Sequence, residues 1–142
     1  MAEEVFIVYF CAMKLDYSFV IPVYNRPQET QELLESFLDV AFPQAYEIVI
    51  VEDGSTETSE SVVQSFSDRL NISYYFKENT GPGDSRNYGM RKAKGNYFII
   101  LDSDCLIPPN YLNEVDQFLQ TTYFDCYGGA DTAHESFSSL QK

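Results

Sequence analysis

Tyr97-Phe98-Ile99-Ile100-Leu101-Asp102-Ser103-Asp104 is an uncharged apolar run that ends in two carboxylates one residue apart. Set between Gly95-Asn96 and the Pro108-Pro109 pair, it reads as a strand covered on both faces, the kind found inside a parallel sheet. Strand side chains alternate, so Asp102 and Asp104 leave its carboxyl end on the same side. There they suit one hard cation, or a cation and a hydroxyl. Asp and Ser also favour ordinary solvated turns, so the pair needs support from the rest of the chain.

Upstream and downstream of this run, strand and helix patterns alternate at the intervals of βαβ units from Tyr17 onward. A first strand over Ser18-Phe19-Val20-Ile21 is expected to end at Pro22. Asn25 is placed to cap a helix with Pro27 just inside it, and Leu33, Leu34, Phe37, Leu38 and Ala41 recur at helical spacing. Tyr46 to Val51 reads as a second strand. Ser55 or Thr56 then caps a helix over Glu57 to Phe66 with Val62, Val63 and Phe66 inward. A third strand covers Ile72 to Phe76, and a helix capped at Asp84 or Ser85 runs to about Ala93. After the opening run come a helix over Asn110 to Gln120 and a fifth strand over Phe124 to Gly128. The fold class is therefore α/β, a mostly parallel sheet with right-handed crossovers and helices on both faces. Such sheets bind ligands outside the carboxyl ends of their strands.

Three strand ends carry polar clusters that meet on that rim: Tyr24-Asn25, Glu52-Asp53 and Asp102-Ser103-Asp104. A lone carboxylate such as Asp53 can accept an N–H from a nucleobase or a hydroxyl from a ribose, although Asp-Gly is also a turn dipeptide. Tyr24 can stack on a base or simply pack half-buried. The loop Gly81-Pro82-Gly83 precedes a helix whose first turn holds Arg86, so backbone N–H groups and a guanidinium can face a phosphate together. A Mg²⁺ or Mn²⁺ bridging a diphosphate is the natural ligand of Asp102 and Asp104, because such ions keep waters and take few protein ligands.

Several classes are excluded by what is missing. No Gly-Lys-Ser/Thr ending marks a P-loop, and no GxGxxG follows the first strand, against an NAD-binding Rossmann domain. A receiver domain needs an acid pair after the first strand, and Pro22-Val23-Tyr24-Asn25 supplies none. A nucleotidyltransferase needs a glycine-rich basic loop at the same place. With 22 acidic against 9 basic residues the net charge is −13, so nucleic acid is not an expected partner and an anionic substrate needs a metal or a local basic patch. Cys11, Cys105 and Cys126 are too few and too scattered for a disulfide framework or a zinc site, which fits a reducing cytoplasm. Phe6 to Met13 is apolar but follows Glu3 and Glu4 and is short for a membrane span. Met13-Lys14-Leu15-Asp16 reads as a natural translation start, with residues 1–16 an extension or an edge segment.

The run Phe19 to Arg26, then Ile48 to Thr56, then Asn79-Thr80-Gly81 through Ser85-Arg86-Asn87 and Ala93 to Tyr97, then Leu101-Asp102-Ser103-Asp104, resembles the nucleotide-sugar-binding half of family-2 inverting glycosyltransferases with the GT-A fold. The resemblance covers roughly Tyr17 to Gly129, in order. It implies a nucleotide-diphospho-sugar-binding domain over 17–129, a loop or tail over 130–142, and transfer of a sugar from a nucleoside-diphosphate donor, commonly UDP-linked, to a hydroxyl acceptor, carbohydrate or lipid-linked. Carried over by position, Asp104 matches the acid that binds the cation and Asp102 its partner near ribose and cation. Asp53 matches the acid that reads the base, Pro22 and Tyr24 the base-contacting segment, and Arg86 the basic residue near base and phosphates, with Gly81 and Ser103 beside them. Mn²⁺ or Mg²⁺ is the implied cofactor. In this family a carboxylate well downstream of the metal motif deprotonates the acceptor. No matching pattern surrounds Asp131, His134 or Glu135, so no catalytic base is assigned and the expectation is a donor-binding portion, incomplete at its C-terminus. Donor binding without transfer is the alternative. A cytoplasmic location, peripheral to the membrane in the full-length protein, and self-association through an uncovered sheet edge complete the expectations.

Overall fold

The central strands are the two whose sequences offer water least. In a computed structural model that describes residues 15–123 and 125–128, β1 (Tyr17–Val23) is buried along its whole length and β2 (Tyr46–Asp53) from Glu47 onward. They pair in parallel, Phe19 opposite Ile48 and Ile21 opposite Ile50. β3 (Ile72–Lys77) adds to the far side of β2 and β4 (Tyr97–Ile100) to the far side of β1, giving a four-stranded, all-parallel sheet in the order β3-β2-β1-β4. The residues expected at 1–14, Phe124 of the expected fifth strand, and Asp131, His134 and Glu135 lie outside the described residues.

Both faces are covered. On one, Phe19, Ile21, Ile48 and Ile50 pack against α1 (Pro27–Phe37) through Leu33, Leu34 and Phe37, against α2 (Glu60–Phe66) through Val63 and Phe66, and against Leu112 of α4 (Tyr111–Thr121). The Tyr17 hydroxyl donates to Asp116 Oδ1 at 2.9 Å and ties α4 to β1. On the other face lies α3 (Pro82–Lys92), seated against Val20 and Val51 by Gly89. At the amino end of the sheet, the nearly buried carboxylate of Glu47 accepts from the Ser18 hydroxyl at 2.6 Å and from the Lys94 N–H, while Gly95 N–H donates to Ser18 Oγ at 2.8 Å. That buried polar set fixes the turn from α3 into β4 and so aims the acidic end of β4. Among the described residues no helix is long and apolar enough to cross a membrane.

Several expectations are corrected. Among the described residues β4 is an edge strand with exposed side chains, not one covered on both faces. Tyr97, Phe98 and Ile100 are each about 40% exposed or more, and β4 bonds only to β1 among the described residues. An apolar run reports what a strand is made of and not which neighbours flank it, which is why the two cases look alike in sequence. Pro22 does not end β1, which continues to Val23. Val20 O accepts from Leu101 N, so the backbone groups of Pro22, two residues on, turn to the β4 side, where the ladder has already ended at Ile100. Its missing N–H therefore costs no ladder bond. Leu38 and Ala41 fall beyond α1, and Leu38 is exposed. α2 starts three residues later than expected, behind Ser59 rather than Ser55 or Thr56, and α3 starts at Pro82 behind Gly81 rather than at Asp84 or Ser85. Residues 125–128 form no strand.

Candidate functional site

The loop after β1 is held by the loop after β2. Asn25 sits in the left-handed region, with φ 51°, which Asn tolerates better than most side chains. Its Oδ1 accepts from Thr56 N at 2.8 Å, Thr56 Oγ1 at 3.1 Å and Glu57 N at 3.0 Å, so Asn25 tethers two loops instead of capping α1. Asn25 N–H donates to Ser55 Oγ at 2.8 Å, and the Ser55 hydroxyl donates in turn to Glu52 Oε1. Glu52 is completely buried. Its other oxygen accepts from Ser59 N at 2.8 Å and from the Tyr74 hydroxyl at 3.2 Å. A carboxylate can be kept away from water only with such partners, and these consume it as a brace for the Tyr24-Asn25-Arg26 segment. Burial, and after it the Glu52 charge, pushes the Tyr74 phenol above its ordinary value.

Asp53 faces the opposite side of β2 from Glu52 and braces the next loop. Its Oδ1 accepts from Lys77 Nζ at 2.5 Å and Thr80 N at 3.0 Å, and its Oδ2 from Gly81 N at 2.9 Å. Burial works to raise the Asp53 carboxyl, but the Lys77 ammonium and the Thr80 N–H outweigh it and hold the group below the usual carboxylate range. The following Gly54 has φ 69°, and a Cβ there would lie 2.6 Å from Asn79 N, so only glycine lets the 77–81 loop close down on β2.

The third cluster leaves β4. Leu101 N–H still donates to Val20 O at 3.1 Å, and Cys105 N–H donates to Asp102 O at 3.2 Å, closing a tight turn around Ser103. Ser103 is buried, while Asp102 and Asp104 are exposed. Arg86 reaches across from α3 and donates to Asp102 Oδ1 at 2.7 Å, and its Nε is buried with no hydrogen-bond partner.

These clusters line one cleft of about 410 Å³ at the carboxyl ends of the strands. Pro22, Tyr24, Asp53 and Gly81 line it together with Asp102, Ser103 and Asp104. Arg86 stands behind Asp102 without lining the cleft itself. Val23, Arg26, Asn79 and Pro82 line it too, and sequence reasoning did not single them out. Nor did it find Lys77, although Lys77 is the register partner of Asp53 across β2 and β3, a relation visible once both strand ends are aligned. Asp102 and Asp104 present two exposed carboxylates on the rim of the cleft. Among the described residues no group of three or more His, Cys, Asp or Glu gathers to hold a metal. The donor set thus fits an ion that keeps waters and takes phosphate oxygen, and not one that needs a full protein cage.

The profile described as Glycosyl transferase family 2 matches residues 18–138. The chain belongs to that family. Within it, an uncharacterized glycosyltransferase of Rickettsia bellii is 36% identical over 107 residues, 75% of this chain and 15% of the relative. Validoxylamine A glucosyltransferase of Streptomyces hygroscopicus subsp. limoneus is 38% identical over 101 residues, 69% of this chain and 22% of the relative. The crystal structure of S. aureus TarS 1-349 in complex with UDP-GlcNAc matches with a TM-score of 0.71 at 30% identity, over 75% of this chain and 32% of that one. The sheet and its helices are therefore a GT-A-like α/β fold. The first two curated relatives matched are spanned by this chain over only 15% and 28% of their lengths.

Proposed function

We propose that the cleft binds a nucleoside-diphosphate sugar, UDP-linked, as the donor site of an inverting glycosyltransferase. The observation that carries the reading is the convergence of the Tyr24, Asp53 and Asp102-Ser103-Asp104 clusters on one cleft in a family-2 chain similar to a protein crystallised with UDP-GlcNAc. The base lies against Pro22, Tyr24 and Asp53, and the diphosphate lies over the Asp102-Asp104 rim, with Arg86 behind Asp102. Three of the lining residues are acidic and one, Arg26, is basic, so a diphosphate entering alone meets net repulsion. Asp102 and Asp104 would hold a divalent cation, Mn²⁺ or Mg²⁺, whose charge would cancel that excess and supply Lewis-acid stabilisation of the leaving diphosphate. The chain's own part is to orient the donor: Arg86 pairs with Asp102 when no ion is bound, and the turn around Ser103 brings Asp102 and Asp104 to the same rim. The acceptor, carbohydrate or lipid-linked, and self-association over the exposed edge of β4 belong to the same proposal.

Calorimetric titration of UDP, GDP and TDP, with and without Mn²⁺, tests it. Metal-dependent binding of UDP is expected, weakened about tenfold or more in Asp104→Ala by loss of one charged ligand. Metal-dependent binding that keeps its full affinity in Asp104→Ala refutes the role of Asp104, and no nucleotide binding at all refutes the donor site. Binding with no transfer to any acceptor selects the reading as a donor-binding module.

A further inference from the structure

We propose that Lys77 is a positioning residue for the nucleoside end of the cleft: by holding Asp53 and the 78–84 loop in one cluster, it forms that wall before a ligand arrives. The inference rests on the nucleotide-binding reading above for what the wall is used for, and on geometry for the wall itself.

Lys77 ends β3 directly opposite Asp53 at the end of β2. Its side chain is 12% exposed and that of Asp53 is 5% exposed. An ammonium carries three N–H bonds. They go to Asp53 Oδ1 at 2.5 Å, Thr80 Oγ1 at 2.5 Å and Glu78 O at 3.0 Å, and Asp84 Oδ2 of α3 stands 3.4 Å away as a second counter-charge. Thr80 passes its own hydroxyl proton to Asp84 Oδ2 at 2.6 Å. One cation thus gathers the end of β2, the loop and the first turn of α3. Every proton it has is spent inward, and Lys77 does not line the cleft. It is therefore not placed to meet a phosphate, and it acts through Asp53, whose two oxygens then hold Thr80 N and Gly81 N.

The charge balance explains why a lysine is needed. Asp53 and Asp84 face the cluster from β2 and α3, and Lys77 from β3 is the cation between them. Glu52 points to the other face of β2, and Arg86 is engaged by Asp102. Without Lys77, a nearly buried carboxylate keeps two backbone donors and faces a second acid with no counter-charge between them. The wall that Asp53, Asn79, Gly81 and Pro82 contribute to the cleft then loses its clamp.

The test uses the isotopically labelled full chain and Lys77→Gln, with Lys77→Arg as the charge-keeping variant. Three quantities are read: the Asp53 carboxyl titration and the Thr80 and Gly81 amide exchange by NMR, and UDP affinity with Mn²⁺ by calorimetry. In Lys77→Gln the Asp53 midpoint should rise, the two amides should exchange about tenfold faster, and UDP should bind about tenfold more weakly. Mn²⁺ binding without nucleotide should be unchanged, and Lys77→Arg should recover most of each loss. Adding Lys77→Gln to Asp53→Asn should cost UDP affinity little beyond Asp53→Asn alone. An unmoved Asp53 midpoint with unmoved amides overturns the proposal, as does a loosened wall with unchanged UDP affinity. If Lys77→Gln does not fold, an ordinary Asp53 midpoint in the unsubstituted chain overturns it. If the unsubstituted chain binds no UDP, the donor reading fails, while titration and exchange still decide the clamp.

Discussion

Replacing Gly89 by Ala is expected to lower stability even though alanine is the better helix former. Gly89 lies in α3, where the helix meets the sheet, and a Cβ there would overlap Val20 Cγ1 and stand 3.1 Å from Val51 Cγ2. Val20 and Val51 are buried in the two central strands, and valine has little rotamer freedom with which to retreat. Intrinsic propensity favours alanine by about 1 kcal/mol. Overpacking against two fixed methyl groups costs roughly 2–3 kcal/mol, toward the upper end of its usual range because both neighbours are branched and buried. The net is a destabilisation of about 1–2 kcal/mol, read as a lower urea midpoint at unchanged slope. Gly83, also in α3, is the control. A Cβ there meets nothing within 4 Å, so Gly83→Ala should be neutral or stabilising by up to about 1 kcal/mol. Because α3 also carries Arg86, Gly89→Ala should weaken nucleotide binding as well. Equal or greater stability of Gly89→Ala, or parallel shifts at both glycines, would refute the reasoning.

Two further outcomes follow from the braces. Asn25→Ala removes the acceptor of three hydrogen bonds and leaves a non-glycine residue at positive φ, for an expected loss of about 1–2 kcal/mol by denaturant titration. Asn25→Asp keeps the acceptor and should lose less than about half of that. Asp53 has its folded-state value depressed below the ordinary 3.8, so its contribution is fully present above about pH 4 and is lost as pH falls through the lower folded value. The stability gap between the unsubstituted chain and Asp53→Asn should therefore be constant near neutrality and shrink below pH 4. Lys77 has its value raised above 10.5, so its contribution is present below that pH and is lost as pH rises through the folded value.

Local pattern was enough to find β1 to β4, the four helices and the three polar strand ends, because burial on a periodic scaffold leaves a periodic trace, whereas residues 125–128 of the expected fifth strand form none. Seven of the eight residues singled out line the cleft, and Arg86 reaches it through Asp102. The starts of α1 and α2 were misplaced for one shared reason. Asn25, Ser55 and Thr56 look like caps, but in the fold the Asn25 side chain bonds to Thr56 and the Asn25 N–H to Ser55 across about thirty residues of sequence, and a partner at that distance leaves no local trace. Lys77 was missed in the same way. Glu52, read in sequence as part of the rim cluster, and Glu47, inside the second strand, are instead buried braces: Glu52 accepts from Ser55 and Ser59 just after it and from Tyr74, and Glu47 from Ser18 and Lys94 of remote segments. β4 was misread because its apolar content does not encode whether a further strand flanks it.

The two ends of the cleft are built on different physics, and the difference follows from where the carboxylates sit. At the β2 end, Glu52 and Asp53 are buried and their acceptors are taken up by Ser55, Ser59, Tyr74, Lys77, Thr80 and Gly81. Those charges act as fixed points for loops and offer a ligand mainly shape. At the β4 end, Asp102 and Asp104 are exposed, and among the described residues the side-chain brace is the Arg86 ion pair to Asp102, itself partly open to solvent with a buried Nε left over. An exposed pair of this kind holds its geometry weakly, so a multivalent ion can exchange for it at little cost. On the donor reading proposed above, shape selection falls to the braced β2 wall and charge selection to the adjustable β4 rim, and a nucleoside diphosphate, with its planar base at one end and its charge at the other, matches that division.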